Sequence, residues 1–284
     1  MSSVFEEVRI NLPHIELAAL VAGPENGRPV IALHGWLDNA NSFARLLPKL
    51  EGVRVVALDL AGHGYSAHRP VGAHYSLWDY CYDVLQVAEK LGWERFSLLG
   101  HSMGAIASVM LAGAAPERVE RLVLIDGLLP MTSEAEDAPQ RLGTALKAMV
   151  ALVDKRKAVH ASIDQAEAAR MRGVAAVTRE AAELLARRGL MAVPGGYTWR
   201  SDNRLTLPSP LRLTQAHAEA FIAQVACPVQ LVVAEEGILK SHAAYIAGLP
   251  FQTVQLPGGH HLHLDDEAGA EAVAACINRF LAAP

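Results

Sequence analysis

A serine set between two glycines is the first group in this chain with an evident chemical use. It is Ser102, in Gly100-His101-Ser102-Met103-Gly104, a G-x-S-x-G match. A serine hydroxyl is a poor nucleophile at neutral pH. It attacks a carbonyl only when a base takes its proton and a further group orients that base. The flanking glycines suit a strained turn that lifts the serine above a strand end, with neighbouring chain passing close on both sides. Gly259-His260-His261-Leu262-His263 offers the base. His260 is the expected one, because it directly follows a Gly-Gly turn where a loop can be aimed inward; His261 and His263 are the alternatives. Read as a metal site, the same cluster lacks the i, i+4 helical pair of a zinc protease and has no obvious acidic partner, so no metal is expected. The oxyanion of acyl transfer needs preorganised N–H donors. The backbone N–H groups of Met103 and of Trp36, the latter in His34-Gly35-Trp36, are the expected pair. A packing role alone is the plainer alternative for Trp36, and His34 is expected to brace its loop.

These groups need a scaffold that delivers them to one edge. Phe96-Ser97-Leu98-Leu99 fits a short core strand leading into Ser102, and the small apolar run from Ala105 to Ala112 fits a helix buried against a sheet. Pro29-Val30-Ile31-Ala32-Leu33 is a continuous apolar run, as in a strand covered on both faces, and ends in His34. Residues 53–60 and 121–126 read as further buried strands. Residues 4–22 alternate apolar and polar around Pro13-His14, predicting two antiparallel strands. A helix is expected over residues 41–50. Another begins at Ser76 and Asp79, spaced as a capping box, with Leu77, Cys81, Val84, Leu85, Ala88 and Leu91 on one face. Strands alternating with helices at this spacing mean a parallel doubly wound sheet.

The alternation lapses from Gly127 to Ala226. Helical patterns occur near 139–154, 164–188 and 214–225, and Pro194-Gly195-Gly196 punctuates a loop or short hairpin. The expected organisation is therefore a core over 1–126, a helical cap inserted over 127–226, and the rest of the core over 227–284. The last part holds a strand at 229–234, a final strand at 252–256 and a closing helix with Val273, Ile277 and Phe280 on one face. The cap arginines (Arg170, Arg172, Arg187, Arg188, Arg200 and Arg204) read as solvated helix faces, and Asp38 and Asp59 as loop organisers.

The 284 residues carry a net charge of -5, with 51% hydrophobic and 19% charged side chains. That composition is globular, and no basic run offers a nucleic-acid footprint. The separated Cys81, Cys227 and Cys276 read as small core residues, which points to a reducing compartment. No stretch approaches a membrane span and the first residues lack a leader pattern, so a cytoplasmic location is expected.

Four motifs occur in order: Leu33-His34-Gly35-Trp36-Leu37-Asp38-Asn39-Ala40-Asn41-Ser42-Phe43, Asp59-Leu60-Ala61-Gly62-His63-Gly64-Tyr65-Ser66, the Ser102 turn, and Gly259-His260-His261-Leu262-His263-Leu264. Together they resemble the α/β-hydrolase superfamily, most of all its serine-hydrolase-like (kraken-like) branch, over nearly the whole chain. The resemblance implies an α/β-hydrolase fold: a mostly parallel doubly wound sheet with an inserted helical cap. It maps the nucleophile to Ser102, the base to His260 and the oxyanion donors to Met103 and Trp36. Most of the superfamily places the triad acid after the strand at 229–234. Here that position reads Ala234-Glu235-Glu236-Gly237-Ile238, with no aspartate. A second position used by some members corresponds to Asp126, which is the expected acid; Glu235 or Glu236 is the alternative. The implied activity is hydrolysis of a small or medium-chain carboxylic ester through an acyl-enzyme, with a small-molecule acyl substrate and no cofactor. Lactone, thioester or C–C hydrolysis and perhydrolysis are related chemistries, whereas halide displacement would call for a carboxylate at position 102. The reading from another class is a sensing or signalling protein that traps a small ligand with little turnover.

Overall fold

The computed structural model describes residues 5–152 and 156–283. Val4, and the end of the helical pattern near 139–154, lie outside the described residues. β1 (Glu6–Asn11) and β2 (Glu16–Ala22) form the expected antiparallel pair, turning at Pro13-His14. β3 (Arg28–Leu33), β4 (Val53–Leu58), β5 (Phe96–His101), β6 (Val119–Ile125), β9 (Val229–Glu236) and β10 (Gln252–Gly259) are mutually parallel, and β2 joins them antiparallel to β4. The order in this eight-stranded sheet is β1-β2-β4-β3-β5-β6-β9-β10. The chain leaves β3 toward one edge to form β4, then crosses back to form β5 on the other side of β3. Ligands bind outside the carboxyl ends of such a sheet where the order reverses. Here the loops after β3 and β5 meet at that point.

Both faces are covered, because a strand's side chains alternate between them. Ile31 and Leu33 of β3 point into one apolar layer with Val56 and Leu58 of β4. That layer takes α1 (Leu77–Leu91) through Tyr80, Val84 and Val87, and α2 (Met103–Ala114) through Ala105, Val109 and Leu111. Val30 and Ala32 point the other way with Val55 and Ala57, against Phe43, Leu46 and the Val273, Ile277 and Phe280 face of α8 (Glu267–Ala282). The expected capping box at Ser76 and Asp79 starts α1. The helix expected over 41–50 is instead two single turns, Ala40–Phe43 and Leu47–Lys49. Pro48 has no N–H to carry an α-helix through, and Asp59 accepts the Ala40 N–H at 2.7 Å, which fixes the first turn locally.

Between β6 and β9 lie α3 (Ala138–Leu152), α4 (Ile163–Met171), α5 (Arg179–Gly189), a hairpin of β7 (Leu190–Val193) and β8 (Gly196–Trp199), and α6 (Gln215–Ala223). The pattern expected over 164–188 is two helices, interrupted around Gly173. Val177, Ala181, Ala182 and Leu185 make a small core of their own, and Leu264, just beyond His263, completes it. The loop bearing the candidate base is thus packed against this segment. α7 (Ala243–Ala247) lies between β9 and β10. Among the described residues no helix is long and apolar enough to cross a membrane, and all three cysteines are free.

Candidate active site

Three parallel strands deliver three side chains to one edge. β5 ends at His101 and hands on Ser102; β6 ends at Ile125 and hands on Asp126; β10 ends at Gly259 and hands on His260. Ser102 has φ 53° and ψ -118°, in the left-handed half of backbone space that L side chains avoid. Its neighbours make that turn sterically possible. A Cβ on Gly100 would stand 2.4 Å from the Ala105 Cα, one on Gly104 2.0 Å from the Leu33 carbonyl oxygen, and one on Gly127 2.4 Å from the Ser102 carbonyl oxygen. The Ser102 N–H is held by the Ile125 carbonyl at 3.0 Å.

The structure brings Ser102, His260 and Asp126 into one hydrogen-bonded chain. Asp126 Oδ2 lies 2.7 Å from His260 Nδ1, and His260 Nε2 lies 2.8 Å from Ser102 Oγ. With a carboxylate as acceptor, the His260 proton sits on Nδ1, which leaves Nε2 free to accept the Ser102 O–H. Asp126 is fully buried, whereas the His260 side chain keeps 11% of its surface open. Asp126 is also a non-glycine residue at positive φ, 40°. Its carboxylate accepts the Ile238 N–H at 2.8 Å and the Ala234 N–H at 3.3 Å. The end of β9 and the turn after it therefore supply one amide each to this group. Glu235 and Glu236 are exposed, and Glu236 pairs with Lys240 at 2.8 Å; neither is the partner of His260.

The loop after β3 is braced as expected. His34 is fully buried, donates from Nδ1 to the Gly35 carbonyl at 2.7 Å and accepts the Leu60 N–H on Nε2 at 3.0 Å. Burial pushes this imidazole down to about 4, so it stays neutral. His63 is likewise depressed to about 3, by burial and then by neighbouring His34, and accepts the Leu37 N–H on Nε2 at 3.3 Å. Trp36 donates from Nε1 to the Leu205 carbonyl at 2.9 Å and leaves 39% of its surface exposed. Met103 is the first residue of α2, so its N–H is among those a helix leaves without an internal acceptor.

His261 and His263 are not alternatives for the base. His261 is buried, with Nε2 3.1 Å from Asp38 Oδ2, and His263 is buried with Nε2 3.1 Å from Ser42 Oγ. Burial, followed by the nearby His261 ring, lowers His263 to about 3. Sequence reasoning missed the network around Asp38. Arg170 of α4 donates to Asp38 Oδ1 at 2.7 Å and its Nη2 lies 3.4 Å from His261 Nε2. Burial alone would raise the Asp38 carboxyl, but the hydrogen bond from His261 and the Arg170 guanidinium hold it well below the usual carboxylate range. Among the described residues, Asp38, His101 and His261 are the group whose donor atoms come within 4.8 Å of one another, as metal ligands must. The Arg170 guanidinium already supplies the positive charge beside them.

The arginines correct an expectation. Arg188 is buried and reaches both Asp59 oxygens from Nε, at 2.9 and 2.8 Å, and Glu7 at 3.2 Å. Arg204 pairs with Asp202 at 2.6 Å, and Arg200 lies over the Tyr65 ring, 4.9 Å from its centroid. With Arg170, four of the six tie the inserted segment to the core or to itself; only Arg172 and Arg187 are the solvated residues expected. Asp38 and Asp59 organise their loops as expected.

A family model described as the alpha/beta hydrolase fold matches residues 28–166. A serine hydrolase-like protein of Danio rerio is 32% identical, over 99% of this chain and 90% of its own length. The crystal structure of a hypothetical protein from Pseudomonas aeruginosa PAO1 is 68% identical, covering 98% of this chain and all of its own, with a TM-score of 0.96. That of E-2-(acetamidomethylene)succinate hydrolase is 25% identical, over 98% of this chain and all of its own, with a TM-score of 0.76.

Proposed function

This chain belongs to the α/β-hydrolase family, among the serine hydrolase-like proteins, and we propose that it hydrolyses carboxylic esters of small or medium chain through an acyl-enzyme on Ser102. The observation that carries this reading is the Asp126–His260–Ser102 chain, with links of 2.7 and 2.8 Å. Ser102 Oγ attacks the acyl carbonyl as His260 Nε2 takes its proton. Asp126 holds the ring in the tautomer that can do so and balances the imidazolium that forms. The backbone N–H groups of Met103 and Trp36 receive the oxyanion, where loss of one donor typically costs about 2.7–4 kcal/mol of barrier. His260 then protonates the departing alcohol. Water repeats the sequence, with His260 again as base, and releases the acid. The residues between β6 and β9 act as a cap over the site. Ester hydrolysis is the reading that the serine nucleophile and the absence of a carboxylate at position 102 favour.

The test is steady-state turnover of p-nitrophenyl esters from acetate to laurate by the native protein and by Ser102→Ala. Sustained turnover that disappears in the variant supports a serine esterase, and the chain-length profile sizes the acyl site. Equal rates in both proteins would overturn the assignment of Ser102. One burst followed by silence would point to stoichiometric trapping of a ligand.

A further inference from the structure

We infer that Arg170, on α4 of the inserted segment, is a positioning residue that holds the His260 and Trp36 loops in working register through Asp38. The inference rests on the roles proposed above for Ser102, His260 and Asp126. Four links carry it. Arg170 Nη2 donates to Asp38 Oδ1 at 2.7 Å, and Nη1 donates to the Ala175 carbonyl, so the guanidinium is fixed at two corners. Asp38 lies two residues after Trp36, in a loop where Leu37 is held at φ 63°. Asp38 Oδ2 accepts from Nε2 of His261, the residue after His260, at 3.1 Å. His101, the residue before Ser102, donates from Nε2 to the His260 carbonyl at 2.9 Å. Its Nδ1 then carries a lone pair, has no hydrogen-bond partner and lies 3.7 Å from Asp38 Oδ2.

This arrangement cannot stand without a cation. Asp38 and the His101 and His261 rings are all buried, and a lone pair facing a carboxylate in a low-dielectric interior is repulsive. Arg170 is the fixed positive charge that offsets it, and its side chain is only 11% exposed. Without it, an imidazole of the cluster must take up a proton or Asp38 must turn away. The first puts a charge on the residue beside Ser102 or beside His260, and the second breaks the hydrogen bond that Asp38 accepts from His261. Other ties between the segment and the core bring no charge to Asp38: Leu205 accepts from the Trp36 indole and Leu185 from the Asn39 amide. Asn41 likewise donates to the Leu184 carbonyl at 2.8 Å, and its side chain makes no hydrogen bond to His260 or to its neighbours.

The experiment compares R170A, R170K and N41A with the native full chain. One readout is the downfield proton resonance of the His260 Nδ1–H in its hydrogen bond to Asp126. The other is kcat and KM for p-nitrophenyl butyrate, with and without millimolar guanidinium well below denaturing concentrations. R170A is expected to shift or lose the resonance and to lose about 10²-fold in kcat, the scale of an ångström-sized misplacement, with KM little changed. Guanidinium should restore part of that loss. R170K keeps the charge without the planar fork and should be intermediate; it makes the same comparison if R170A does not fold. N41A should keep both the resonance and kcat. A native-like resonance and kcat in R170A or R170K, with only a lower Tm, would overturn the proposal and leave Arg170 as a structural tie. If the native chain shows the resonance but turns over no ester, the esterase reading fails, and the resonance comparison still decides the role of Arg170.

Discussion

Acid should unfold this protein unusually steeply, and the reason is the number of imidazoles it buries without charge. His34 is pushed down to about 4, His63 and His263 to about 3, and His101 well below its ordinary value, in each case first by burial. An unfolded histidine takes its proton near pH 6.5. Between that pH and about 4 the unfolded chain therefore binds protons that the native one refuses. The native state has its full advantage above about pH 6.5 and loses it as the pH falls. Each proton contributes about 1.4 kcal/mol per pH unit, so four rings give a slope near 5 kcal/mol per unit at about pH 5.5. By pH 5 the accumulated loss is about 8 kcal/mol, comparable with the whole stability of a typical domain at about 5–15 kcal/mol. Asp38, whose carboxyl is held low, adds a loss in the same direction, below the unfolded carboxyl value near 3.8. Urea unfolding curves from pH 8 to pH 5 give the slope directly. His263→Gln, which can keep a hydrogen bond to Ser42, should remove one proton from it. A slope at pH 5.5 of about 1.4 kcal/mol per unit or less, one proton's worth, would refute the neutral, buried state of these rings.

Five substitutions test the site and its supports. Asp126→Asn presents an amide N–H to His260 or to the Ile238 N–H; the ring turns to its other tautomer, and kcat should fall about 10⁴-fold. Glu235→Gln and Glu236→Gln should leave kcat unchanged, and the reverse ranking would overturn the assignment of the acid. Gly237→Ala places a Cβ 2.2 Å from Asp126 Oδ2; it should depress kcat with the acid still present, and native turnover would show that the loop gives way freely. Arg188→Met leaves Asp59 buried without its guanidinium and should cost about 3–5 kcal/mol, read as a fall in Tm; an unchanged melt would mean that the pair contributes nothing.

The alternation of buried strands and helices made the sheet legible before any coordinates, because a strand covered on both faces has to be apolar throughout. Ser102 was legible because Gly100 and Gly104 mark places where neighbouring backbone comes too close for a Cβ, and His260 because it follows a Gly-Gly turn in which Gly258 takes a φ of 120°. The arginines were not. Arg170 and Arg188 sit on short helices whose polar positions look like any solvated face, and nothing within 20 residues of either shows that Asp38 or Asp59 lies opposite. A pairing across 132 or 129 positions of chain leaves no local trace. The turns at 40–49 failed as a predicted helix because local pattern ignored Pro48 and the distant Asp59.

The acid shows how far local reading reaches. Residues 234–238 hold two glutamates, which invites a carboxylate role, yet the fold uses the backbone of this stretch and not its side chains. Ala234 and Ile238 donate N–H groups to Asp126, and Gly237 is the residue that allows its carboxylate so close. Asp126 itself pays with a left-handed backbone at φ 40°, next to Gly127, whose Cβ would strike the Ser102 backbone. Two strained non-glycine residues, Ser102 and Asp126, thus stand at the ends of adjacent strands, each cleared by a glycine. Strain of this kind costs on the order of 1–3 kcal/mol per residue and persists where surrounding structure over-determines it. The signal available in the sequence was accordingly Asp126-Gly127 at a strand end together with Gly237 after β9, one glycine clearing the Ser102 backbone and the other the carboxylate, and not the acidic residues beside them.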